Sequence, residues 1–452
     1  MINKDHFKKL YLNLTDPGND KIESLNNLFN SFINNFKKEC FSPKPKLKIL
    51  SSLNRICNIL YHNNKCFLVF DYHIIEIMCD LNNNSLYNKN FFNSYIYAHK
   101  LLAEQFQILG NGLKSYSFAE IFLHGMENYF NISERVDDIV LGTQYSFMIL
   151  HELTHLVFSS LNDKVKLNEI DEKRQDLIYC FNNGFFSEDF DLIKSIPDPD
   201  NNVKKLNFNK IAIDIINKDH FIEECICDSL AINIILSSLQ TLDLQYKLDT
   251  VKYFKSSGNY TNDLQQHFYK YDIPSELIKA CHLCLLNQKY FSLIELLALK
   301  YENISRLNFK TYHIDIILRL QSFRRKVLSL YDNLYDRNTR ILNDKLVEIT
   351  KDYFLVHFLA LSTITRNIKH FPSEVNSFFK QTISIVDNYN LLSSAFKILD
   401  MPNQIKKNLR NKDFKDIRES FPKIHSTKLV DWIERDFLKE LKNKGNILGH
   451  LI

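Results

Sequence analysis

Glycine and proline are scarce in this chain, with only 9 of each among 452 residues. These residues mark tight turns most strongly, so the sequence has little capacity for many short, closely connected strands. Long helices joined by short polar loops fit it better. One segment departs from that pattern: Lys65 to Tyr72 (KCFLVFDY) is an apolar run of aromatic and β-compatible residues. The sequence therefore predicts a mainly α protein with a small β-sheet before residue 145.

The length of the chain exceeds one ordinary core, because domains hold roughly 150 residues each. The clearest break in the helical pattern of the second half is the segment SSGN at 256–259. We therefore predict one unit over residues 1–257 and an α-helical domain over residues 258–452. Within the second unit, apolar residues that step as one helical face requires are Ile316, Leu320, Phe323, Val327, Leu330 and Leu334.

The charge balance argues against nucleic-acid binding, since 57 basic and 53 acidic residues leave a net charge of only +4. The most basic stretch, KKNLRNKDFK at 406–415, contains an acid and fits a solvated helical face better than a phosphate-binding patch. The nine cysteines are an odd number without a secretory leader, which indicates reduced thiols. No run approaches the roughly 18 apolar residues of a membrane span. We expect a cytoplasmic protein without stable membrane insertion.

The stretch FMILHELTHLVF at 147–158 places three ionisable groups in an apolar run with the composition of a helix, predicted over about 143–161. Such a setting disfavours charge unless it is paired or bound to a metal. His151 and His155 are four residues apart and share a helical face, so both imidazoles can reach one ion, with Glu152 beside them. A catalytic zinc normally needs a third protein ligand.

Glu224 is the candidate for that third ligand. It lies in a second predicted helix, about 219–236, where Glu224, Asp228 and Ala231 share one face. Asp228 could accept the other ring N–H of a zinc-binding histidine and hold its tautomer. The small Ala231 would allow the two helices to approach closely.

The motifs HELTH at 151–155 and ECICD at 224–228 resemble the HExxH and ExxxD pattern of the gluzincin metallopeptidases, with Cys227 where alanine is usual. This resemblance implies a zincin-like metallopeptidase domain within residues 1–257. By the same resemblance, His151, His155 and Glu224 would bind Zn²⁺, and Glu152 would activate the zinc-bound water as general base.

Other candidates carry less weight. His220 and Tyr179 are possible oxyanion-stabilising groups, although the sequence does not identify that residue. Cys225 and Cys227 are interpreted as packing residues. The C-x-x-C pair of Cys281 and Cys284 lies in a helical pattern without a second such pair, which favours core thiols over a zinc or redox site.

The leading interpretation is a cytoplasmic zinc-dependent endopeptidase that hydrolyses peptide bonds in a specific protein substrate. The alternative is a non-catalytic helical protein-interaction module with a structural or vestigial metal site; a zinc hydrolase of non-peptide substrates is a third possibility. Glu152 separates the first two, because a structural site has no use for a general base. The sequence indicates neither the substrate nor the oligomeric state.

Overall fold

The structure is a computed structural model that describes most of the chain between residues 18 and 370. Residues 1–17, 196–206, 258–272 and 371–452 lie outside the described residues. The shorter segments that are also outside are 37–39, 42, 51–54, 56, 63, 85–90, 110–113, 115–117, 120, 123–137, 302–310 and 336–338.

The described part is mainly helical and contains one three-stranded sheet, as predicted. The strands are β1 (Lys46–Leu50), β2 (Cys57–His62) and β3 (Lys65–Asp71). The first helices are α1 (Gly18–Asn35), α2 (His73–Asn82), α3 (Phe91–Ile108), α4 (Asp138–Ser160), α5 (Asp163–Asn182), α6 (Ser187–Ser195) and α7 (Phe208–Ile216). The later helices are α8 (Asp219–Ser257), α9 (Ile273–Leu299), α10 (Thr311–Tyr335), α11 (Thr339–Tyr353), a π-helical turn (Phe354–Phe358) and α12 (Leu359–His370).

The sheet has the order β1-β3-β2, with β1 parallel and β2 antiparallel to the central strand. Strand β3 is the predicted KCFLVFD segment, and it is buried on both faces after its first residue, which explains its continuous apolar run. A tight hairpin joins β2 to β3, and Asn64 there has a φ of 58°, a left-handed conformation that asparagine tolerates. Among the described strands, β2 pairs only with β3 and is an edge strand.

Helices α4 and α8 pack against each other, α9 packs against both of them, and α10 packs against α8 and α9. Helix α8 begins where predicted but continues past residue 236 to Ser257, since no glycine or proline interrupts it. One buried apolar cluster includes residues on both sides of the predicted boundary at 257, for example Leu153 and Leu320. The division into two domains stays a prediction, while the two halves share a core.

The predicted apolar face of α10 is confirmed, because Ile316, Leu320, Phe323 and Val327 are buried. The basic segment at 406–415 lies outside the described residues. No helix among the described residues is both long enough and apolar enough to cross a membrane.

A buried cluster of charges links the end of the sheet to α3. His73 Nε2 lies 3.4 Å from Glu104 Oε2, its Nδ1 lies 3.2 Å from Glu76 Oε2, and Arg55 Nη2 lies 3.3 Å from the same Glu104 oxygen. Burial by itself would lower the pKa of His73, but the carboxylates of Glu104 and Glu76 raise it to about 9. The folded protein therefore holds His73 protonated at neutral pH.

This cluster predicts a pH-dependent contribution to stability. An unfolded histidine has a pKa of 6.5, so the stabilisation is fully present below that pH and is lost as the pH rises through about 9. Replacing His73 with Gln should lower the free energy of unfolding by roughly 3 kcal/mol near pH 6 and by much less at pH 10, measured by urea denaturation. Burial lowers the pKa of His99 to about 4. Replacing His99 with Gln should therefore change the free energy of unfolding by the same amount at pH 8 and at pH 10. A loss of stability in His73→Gln that is the same at pH 6 and at pH 10 would contradict the prediction.

Candidate metal centre

Helix α4 carries the HELTH motif through the core of the described structure. The helix is buried on most sides, with Phe147, Leu150 and Leu153 in the apolar cluster, and it also contacts β2 and β3. His151 and His155 project from one face, as their spacing requires. Their Nε2 atoms are 3.2 Å apart.

Glu224 on α8 completes this group of ligand atoms. Its Oε2 lies 3.2 Å from His151 Nε2, and its Oε1 lies 3.2 Å from His155 Nε2. In a tetrahedral zinc site with bonds of about 2.0–2.1 Å, neighbouring ligand atoms are about 3.3 Å apart. The structure thus brings the three predicted ligands close enough to share one ion, with a different Glu224 oxygen facing each histidine.

Two more carboxylates lie at the opposite edges of the imidazole rings. Asp228 Oδ1 lies 2.9 Å from His151 Nδ1, in an ion pair rather than an in-line hydrogen bond. His155 Nδ1 donates to Glu223 Oε1 at 2.9 Å. Each histidine therefore has a carboxylate that orients its ring, the arrangement typical of zinc-binding histidines. Asp228 was predicted for this position, whereas Glu223 was not.

Arg319, on α10, is a functional candidate that the sequence did not reveal. Its Nη1 lies 3.1 Å from Glu224 Oε2, while its Nε and Nη2 donate to the Asp228 carboxylate at 2.5 and 2.8 Å. The available signal was an arginine inside the apolar run IILRLQSF, since such a residue needs an acidic partner. The sequence does not indicate which acidic residue pairs with Arg319, because Asp228 lies on another helix, 91 residues away.

The electrostatics of the centre favour positive charge at the two imidazoles. Burial alone would lower the pKa of His151, but the carboxylates of Asp228 and Glu224 raise it to about 10. Arg319 and His151 hold the pKa values of Glu224 and Asp228 below their usual range, against the effect of burial. Because the two Nε2 atoms face each other at 3.2 Å, they do not both carry a proton. A single cation between them satisfies both lone pairs and the carboxylate.

Glu152 lies between the ligand pair and the sheet. Its side chain is half-buried, and burial raises the pKa of its carboxyl group, while His151 and His155 oppose that rise. The backbone of Ile59, in β2, also lowers the pKa of this carboxyl group. Glu152 is therefore next to both the candidate metal position and the edge strand of the sheet.

The remaining predicted residues are less closely associated with the centre. His220 Nε2 lies 3.9 Å from Glu224 Oε1, with a side chain that is 55% exposed. Tyr179 on α5 is 59% exposed. None of its described contacts is with His151, His155 or Glu224. Cys281 and Cys284 are buried free thiols, which confirms their interpretation as core residues.

Comparisons of the chain with protein-family models, with curated proteins and with solved structures each gave no match. The arrangement of side chains within the centre is therefore the basis for assigning a function.

Proposed function

We propose that this protein is a zinc-dependent endopeptidase with a zincin-like catalytic domain of the gluzincin type. The observation that carries the proposal is the set of three ligand-atom separations of 3.2 Å among His151, His155 and Glu224. The donor set also fits the ion, because two imidazoles and one carboxylate leave the fourth position of a catalytic zinc open. The neighbouring Glu152 supplies an acid-base group that a structural site would not need.

The residues around the ion would have distinct roles. His151, His155 and Glu224 would hold Zn²⁺, while Asp228 and Glu223 orient the two imidazoles through their Nδ1 atoms. When bound, Zn²⁺ supplies a Lewis acid that polarises the scissile carbonyl and acidifies water. Glu152 would accept a proton from the attacking water and return it to the leaving amine.

Arg319 would act indirectly, as a positioning residue. Its guanidinium group contacts both Glu224 and Asp228, so it fixes one ligand and the residue that orients another. It also offsets negative charge that would otherwise accumulate beside the ligands. Because Arg319 belongs to α10, the helical second half would contribute directly to the centre.

A protein or peptide substrate fits the position of strand β2. Edge strands have a row of free backbone groups, and extended peptides bind proteins by adding a strand to such an edge. Because β2 runs beside Glu152, a peptide paired with it would pass the candidate general base. We further propose that the substrate is a specific protein and that the enzyme acts in the cytoplasm, where its nine free cysteines would stay reduced.

Metal analysis tests this proposal directly. We expect purified, zinc-replete wild-type protein to contain one Zn²⁺ per chain by elemental analysis. The His155→Ala variant should lose the ion, since the two remaining ligands, His151 and Glu224, do not form a tight zinc site. Glu169→Ala, an exposed residue on α5, is the control and should keep it.

Zinc-free wild-type protein, or full retention of zinc in the His155→Ala variant, would contradict the proposed centre. A wild-type protein that binds zinc but hydrolyses no peptide would instead favour the alternative, a helical interaction module with a structural metal site. Catalysis thus requires its own test at Glu152.

A further inference from the structure

The imidazole of His155 lies between two different sets of potential ligand groups. Its Nε2 faces His151 and Glu224, both at 3.2 Å, as described above. Its Nδ1 faces Glu223 Oε1 at 2.9 Å. The same ring can therefore present a lone pair toward either side, depending on which nitrogen carries the proton.

Cys227 joins Glu223 on that second side. Residues 223 and 227 are four apart on α8, so their side chains share a helical face. The ligand atoms of His155, Glu223 and Cys227 all lie within 4.8 Å of one another. The Cys227 side chain is buried, whereas the Glu223 side chain is 31% exposed, so an ion can enter from the solvent side.

We propose that His155, Glu223 and Cys227 form a second metal position, which takes a thiophilic divalent ion such as Cd²⁺ or excess Zn²⁺. The ion would bind the Cys227 thiolate, one carboxylate oxygen of Glu223 and the Nδ1 lone pair of His155, with water in the fourth position. The thiol proton is released to solvent when the ion binds. The thiolate distinguishes this position from the first one, because sulfur ligands favour softer ions than nitrogen and oxygen ligands do.

The two positions exclude each other through the shared ring. A neutral imidazole has one N–H and one lone pair, so an ion on Nδ1 moves the proton to Nε2. His155 then cannot bind an ion beside His151 and Glu224, and the first position is left with two ligands. A thiophilic ion would therefore inhibit the enzyme by removing a zinc ligand, a consequence that rests on the proposed function.

Cobalt spectroscopy tests the second position without any assay of activity. Full-length zinc-free His151→Ala protein, in which the first position is disabled, is titrated with Co²⁺. Binding to a thiolate gives a sulfur-to-cobalt charge-transfer band in the near ultraviolet, and we expect this band to develop. It should be lost in the His151→Ala/Cys227→Ser double variant and kept in His151→Ala/Cys225→Ser, which removes a neighbouring buried thiol on the same helix.

Absence of the band in His151→Ala, or its persistence when Cys227 is replaced, would overturn the proposal. The Glu223→Gln substitution in the His151→Ala background is a second test, chosen because the Glu223 side chain is partly exposed. It should raise the Co²⁺ concentration at which the absorbance of the band reaches half of its maximum. An unchanged titration would also overturn the proposal. The band is independent of peptide hydrolysis, so failure of the peptidase assignment and failure of this position are distinguishable.

Discussion

Replacing Glu152 with Gln should lower the rate of peptide hydrolysis by about 10²–10⁴-fold, the usual contribution of a general acid-base group. The amide keeps the size of the side chain but cannot accept a proton from water. Zinc content should stay at one ion per chain, because Glu152 is not among the three grouped ligand residues. The measurement is mass spectrometry of a complex peptide mixture digested in water enriched in heavy oxygen, which labels each newly formed carboxyl terminus.

The matched control is Glu169→Gln, which makes the same chemical change at an exposed position on α5 and should leave the rate unaltered. Equal labelling by wild type and Glu152→Gln would show that Glu152 has no catalytic role. A zinc-loaded wild-type protein that labels nothing would favour the interaction module. Loss of zinc from the Glu152→Gln variant would contradict the assignment of ligands.

Replacing Arg319 with Leu should destabilise the zinc-free protein by about 3–5 kcal/mol, as expected when a buried ion pair loses one partner. The Asp228 side chain is only 1% exposed and that of Glu224 is 12% exposed, and both carboxylates would lose Arg319 as their partner. Added Zn²⁺ should restore part of the lost stability, since the ion provides positive charge beside Glu224. Chemical denaturation with and without zinc measures both effects.

Arg325→Leu, two turns along the same helix, is the control for this second prediction. Arg325 pairs with Asp176 at 2.9 Å, but both side chains are more than a third exposed, so the loss should be at most about 1 kcal/mol. Similar losses in the two variants would show that Arg319 does not support the buried carboxylates. A zinc effect of equal size in Arg319→Leu and wild type would contradict the electrostatic link to the ion.

Much of the fold was readable from local patterns. The scarcity of glycine and proline predicted long helices, and β3 was recognisable because a strand buried on both faces is a short, continuous apolar run. Strand β2 was not predicted individually, since its sequence CNILYH has no such contrast with its surroundings. The far end of α8, which runs past residue 236 to Ser257, was also missed.

The sequence likewise predicted some residues of the candidate centre and missed others. His151, Glu152 and His155 are within one helical turn or so, and their shared face follows from helix geometry alone. Glu224 and Asp228 could be grouped with them because they form a second motif of the same kind. Glu223, Cys227 and Arg319 could not be assigned, since nothing in a one-dimensional pattern says which nitrogen of a histidine a distant side chain will meet.

The sequence by itself determined the helical character of the protein, the position of its central strand and the pairing of histidines on one helix face. These properties depend on local sterics and on periodicities of a few residues, which are written along the chain. Only the tertiary structure decided that α8 approaches α4 with Glu224 3.2 Å from both histidines, that α10 contributes Arg319, and that β2 borders Glu152. Those contacts join residues far apart in sequence, and they depend on how whole helices pack in a shared core.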